Sequence, residues 1–155
     1  MTKLEELFGI LPTLTFHEND LHPDVYEKLV TEVDQKSKQY YSNPHSNGDR
    51  DLATIRFNTW TGMVAEKFLI QEHGFTQDHG KFRDLKKNLL QAEIKTAASE
   101  ASKQRILNKL QNIRKTKYDH VIMFKRTGKS YSVESYHHYD HDKQKYVQIE
   151  SYCVY

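Results

Sequence analysis

Leu90-Gln91-Ala92-Glu93-Ile94-Lys95 carries the spacing best suited to chemistry. Extended backbone sends alternate side chains to opposite faces. In a strand, Leu90, Ala92 and Ile94 point to a core, and Gln91, Glu93 and Lys95 share the other side. A carboxylate and an ammonium two residues apart on one face can serve one reaction centre. The carboxylate suits a hard cation such as Mg2+; the lysine can orient or deprotonate a water, or stabilise charge on a phosphate. Acid-any-Lys also occurs at Asp34-Gln35-Lys36 and Asp84-Leu85-Lys86, close to what composition alone predicts. Only the third copy lies in an apolar run, after a turn and ahead of a basic helix. The plain structural alternative is a surface ion pair, worth roughly 1 kcal/mol or less.

Two further acids bear on this site. Asp84 lies near the end of the preceding strand-like segment, and a hairpin sets it beside Glu93. Carboxylates brought together repel unless a cation lies between them. Turn initiation is the simpler role for Asp84 alone. Glu66 interrupts an apolar stripe with Met63 and Ile70, four residues after Gly62. It can aim at a metal or pair with a lysine at the core edge.

The elements that position these residues follow from periodicity. His22-Pro23-Asp24 opens a helix on which Val25, Leu29, Val30 and Val33 recur. Residues 42–51 read as a loop. A second helix covers 56–73, with Phe57, Trp60, Val64 and Phe68 on one side and Gly74 at its stop. Lys81–Leu85 and Leu89–Ala97 read as strands around the turn Lys86-Lys87-Asn88. Glu100–Lys117 reads as a helix with the stripe Ile106, Leu107, Leu110 and Ile113. His120–Lys125 fits a buried strand, and Ser130–Tyr136 with Lys145–Tyr152 a terminal hairpin turning around Asp140–Lys143. The order predicts one α/β domain with a mixed sheet flanked by helices. It divides into an N-terminal extension (1–55), a core (56–136) and a C-terminal hairpin (137–155).

Charge is uneven. Residues 1–34 hold eight acids against two lysines, and residues 81–129 hold fourteen Lys and Arg against four acids. The basic half suits a polyanion. Lys86, Lys87, Arg105, Asn108 and Lys115 are the candidate contacts to such a polyanion, through phosphates or, for Asn108 on a nucleic acid, a base edge. An ordinary solvated face explains each residue singly. His137, His138, Asp140, His141 and Asp142 cluster in sequence but read as a polar turn rather than a zinc site. A single cysteine, Cys153, permits no internal disulfide. The longest apolar runs, such as Val121–Phe124, fall far short of the roughly 20 residues a membrane helix needs. The N-terminus has no signal-peptide pattern, and a cytoplasmic location is expected.

Gly62-Met63-Val64-Ala65-Glu66 on a helix, Asp84 after a gap, and Glu93-Ile94-Lys95-Thr96 in a strand resemble the PD-(D/E)XK nuclease superfamily. Type II restriction endonucleases and Holliday-junction resolvases belong to it. The resemblance spans roughly 56–136, and Tyr118–Phe124 is similar to the strand after the family's core helix. It implies a restriction-endonuclease-like core and a Mg2+-dependent DNA endonuclease. Asp84 and Glu93, with the backbone carbonyl of Ile94, would hold the metal. Lys95 would act at the attacking water, and Glu66 would assist. Two departures stand out: Arg83 occupies the position of the family's proline, and Asp78 competes with Asp84 as first ligand. A site-specific restriction-type homodimer, joined through the acidic Val25–Val33 helix, is the first expectation. A junction resolvase and a non-catalytic DNA-binding module are the alternatives.

Overall fold

Helix α1 (Lys3–Phe8) opens the chain, capped by Thr2, whose hydroxyl accepts the Glu5 amide. In the computed structural model, residues 2–77, 85–112 and 119–151 are described. After α1 come β1 (Thr15–His17), α2 (Pro23–Ser42), α3 (Pro44–Asn47), α4 (Leu52–Glu72), β2 (Thr76–Gln77), β3 (Leu85–Lys87) and β4 (Leu90–Ala97). Helix α5 (Glu100–Asn112) and strands β5 (His120–Thr127), β6 (Ser130–Asp140) and β7 (Lys145–Ser151) complete the order.

The strands form one seven-stranded mixed sheet in the order β1-β6-β5-β4-β3-β2, with β7 also on β6. β4 and β5 are its parallel pair, and parallel neighbours need a crossover connection; α5 supplies it. Helices flank both faces. The first face carries Ala92, Ile94, Ile122, Phe124, Val133 and Tyr136, buried with residues of α1, α2 and α4. Phe16 locks this layer, stacked on Phe68 at 3.9 Å and on Tyr131 at 5.0 Å between ring centroids. The second face is covered by α5, whose Leu110 meets Val121, Tyr139 and Tyr146.

Local signals explain the boundaries. Asp51 caps α4 by accepting the Thr54 amide at 2.7 Å, so this helix starts four residues before the expected position 56. It ends as predicted, with Gly74 taking a φ of +70° that suits glycine. The expected loop 42–51 contains the short α3, again opened by a proline. The β3–β4 turn is Asn88-Leu89, not Lys86-Lys87-Asn88, because Asn88 accepts a φ of +56°. Lys86 and Lys87 are therefore strand residues. β6 runs on to Asp140, so His137 and His138 belong to a strand rather than a turn. The boundaries drawn at 55 and 136 fall inside α4 and β6.

Two expected stripes changed. Val64 and Phe68 are buried, but Phe57 stays 42% exposed and stacks under Arg126 instead, 4.8 Å from the ring centroid to the guanidinium. On α2, Leu29 and Val33 are buried in the core shared with α4 while Val30 faces solvent. Leu29 and Val33 of the stripe expected to join two copies are thus covered within one chain.

Candidate functional site

Glu93 and Lys95 are positioned by the alternation of β4. Ala92 and Ile94 are buried in the first face, so the residues between them project from the second. Lys95 Nζ lies 3.0 Å from Glu93 Oε1, and both side chains are partly open, 40% and 27% exposed. Lys86 pairs with Gln91 across the hairpin, and directly opposed residues share a face. Lys86, Gln91, Glu93 and Lys95 therefore make one polar surface.

The same face continues across the sheet. Glu93 pairs with Val121 and Val121 with His137; Lys95 pairs with Met123 and Met123 with Ser135. At about 4.8 Å per strand, His137 and Ser135 lie roughly 10 Å from the β4 pair. Ser135 Oγ and His137 Nε2 are 2.8 Å apart, and both residues are buried. Burial pushes the His137 imidazole down to about 4. Beside them the β6 pairing shifts at Met123/Phe124, and Glu134 turns to α5, accepting Lys103 at 2.6 Å. A cavity of about 300 Å3 lies where β4 and β5 end and α5 begins, lined by Lys103, Lys125, Arg126 and Glu134 among others. Sequence reading passed over Lys103, Glu134 and Ser135. No local pattern marks them, since a strand bulge and a helix from elsewhere create their setting.

The other predicted residues divide. Asp84, Asp78 and Lys115 lie outside the described residues; the last paired position before Asp84 is Leu85, opposite Ala92. Glu66 is half-buried on α4, the helix that covers the Ala92 and Ile94 face, whereas Glu93 and Lys95 project from the other. Ile94 pairs with Ile122 in the sheet interior. Arg105 and Asn108 are exposed on α5. Lys87 is engaged within the fold: its ammonium donates to the Phe8 carbonyl at 2.6 Å and lies over the Phe75 ring. His137, His138, Asp140, His141 and Asp142 do not converge, because successive strand residues face opposite ways.

A buried network braces the sheet from the first-face side. Glu18 Oε1 accepts from Trp60 Nε1 at 2.9 Å, Arg126 Nη2 at 2.9 Å and the Tyr131 hydroxyl at 3.1 Å. This joins the turn after β1, α4, β5 and β6. Burial and the Glu18 charge push the Tyr131 phenol up.

Carboxylate and carbonyl oxygens are the donors a hard cation prefers, and Glu93 and the Ile94 carbonyl are of that kind. Among the described residues, no three His, Cys, Asp or Glu side chains group to hold a metal ion. Any further acid at Glu93 would come from outside the described residues, where Asp84 and Asp78 lie. Comparison with family models, curated proteins and solved structures finds no match. No helix among the described residues is long and apolar enough to cross a membrane.

Proposed function

We propose that this chain is a Mg2+-dependent endonuclease that hydrolyses phosphodiester bonds in double-stranded DNA, of the site-specific restriction type. The observation that carries the reading is the Glu93–Lys95 pair. It stands on one face of β4, partly open to solvent, directly after a hairpin from the strand that follows Asp84. Its place in a mixed sheet flanked by helices accords with the PD-(D/E)XK resemblance.

In this reading Glu93, Asp84 and the Ile94 carbonyl would hold Mg2+. When bound, the ion supplies positive charge to the scissile phosphate and lowers the pKa of a bound water. Lys95 faces the same space, where its ammonium can orient the attacking water or stabilise charge growing on phosphate oxygen. Glu93, 3.0 Å away, restrains the lysine's direction before substrate arrives. Lys86 on the same face and Arg105 on α5 would hold the DNA backbone, and Asn108 on α5 would meet a base edge. One site per chain and two strands to cut favour a two-fold homodimer.

Plasmid DNA incubated with and without Mg2+, followed by end mapping, tests the reading. Linear products with fixed ends, formed only with the metal, are expected. Cleavage confined to four-way junctions would move the assignment to a resolvase. DNA binding without cleavage would make the chain a non-catalytic module, its Glu93–Lys95 pair a surface ion pair.

A further inference from the structure

A groove of about 630 Å3 lies between α2, the second half of α4 and β2, on the side of the sheet opposite Glu93 and Lys95. Small-molecule sites commonly occupy roughly 300–1,000 Å3. Its floor is apolar: Val25, Ile70 and Phe75. Phe75 is fixed, 2% exposed and stacked on Phe8 at 5.9 Å, so the floor is preformed.

The rim is charged and unbalanced. Lys28 and Glu32 are four residues apart on α2, the spacing at which helical ion pairs form. Glu32 instead reaches across to α4 and lies 3.6 Å from Lys67. Lys28 makes no ion pair among the described residues, so one ammonium is in surplus beside an apolar floor.

We infer that this groove binds a small organic carboxylate with an apolar body. The body lies over Val25, Ile70 and Phe75, and the carboxylate meets Lys28. The single surplus charge matches a carboxylate better than a phosphate monoester, which carries about −1.5 to −2. A nucleic-acid backbone is disfavoured, because a run of phosphates along α2 would also pass Asp24 and Glu27, which do not line the groove, whereas a single carboxylate meets Lys28 at the rim. The inference stands independently of the nuclease reading.

Titration of the full chain with octanoate and, separately, 1-octanol, followed by amide NMR shifts, tests it. Octanoate should saturate one site, with shifts centred on Val25, Lys28, Ile70 and Phe75. Lys28→Glu, at an exposed position, should weaken octanoate at least about tenfold and leave 1-octanol unchanged. Shifts that never saturate in the millimolar range, shifts centred elsewhere, or equal octanoate affinity in Lys28→Glu would each overturn it.

Discussion

Lys95 Nζ stands 3.0 Å from Glu93 Oε1, while Ile94 between them is buried on the other side of β4. Neither charged side chain supports the core, so both can be changed without opening a cavity. Glu93→Ala and Lys95→Ala should each leave the circular dichroism spectrum intact and reduce Mg2+-dependent cleavage by about 10²-fold or more, the scale seen when one transition-state contact is lost. Full cleavage by either folded variant would remove the site assignment.

Asp84 and Asp78 are separated by the same assay. Asp84→Asn should abolish cleavage and weaken Mg2+ binding measured by calorimetry, whereas Asp78→Asn should leave both near wild type. The reverse pattern would transfer the ligand role to Asp78.

Lys86 and Lys87 are neighbours with opposite expected behaviour. The Lys87 ammonium is held by the Phe8 carbonyl, so Lys87→Ala should lower stability and leave DNA affinity nearly unchanged. Lys86→Ala and Arg105→Ala should each reduce the slope of log affinity against log salt by about 0.9, one phosphate contact apiece. Fluorescence anisotropy at several salt concentrations reads both effects, and equal slopes in all three variants would count against this DNA-binding face.

Glu18 and Arg126 meet in the buried network. Arg126→Ala leaves the Glu18 carboxylate, 4% exposed, without its counter-charge. Breaking a buried pair from one side costs about 3–5 kcal/mol. Urea midpoints should show a loss of that order; a change under about 1 kcal/mol would mean that water reaches Glu18 freely.

His137 predicts acid sensitivity. Burial holds its ring at about 4 in the folded chain, against about 6.5 when unfolded. Between these values the unfolded chain binds a proton that the folded chain refuses. Stability is therefore full above pH 6.5 and falls as pH drops toward 4, by up to roughly 3 kcal/mol. Burial and the nearby His138 lower His120 in the same direction. Urea midpoints at pH 7.5 and 5 should differ for wild type and differ less for His137→Gln.

Periodicity alone determined the facing of β4, the buried strand β5, the stop of α4 at Gly74 and the apolar side of α5. These rest on a repeat of 2 or 3.6 residues, or on one residue's backbone preference, and such signals act within a few positions. The tertiary structure decided what those rules cannot reach. α1, β1 and β2 are six, three and two residues long, too short to carry a period, and exist because the core and the sheet edges accept them. The α2 stripe was legible, but only the fold shows that α4 covers its Leu29 and Val33 while Val30 stays exposed. The charge run at Lys86-Lys87 was legible as well, yet a carbonyl 79 residues away takes one lysine out of the basic surface. His137 looked like part of a polar turn until β6 extended through it and α5 covered that face. Glu18 and Arg126 are 108 residues apart, and no local pattern links a charge to the partner that folding brings beside it.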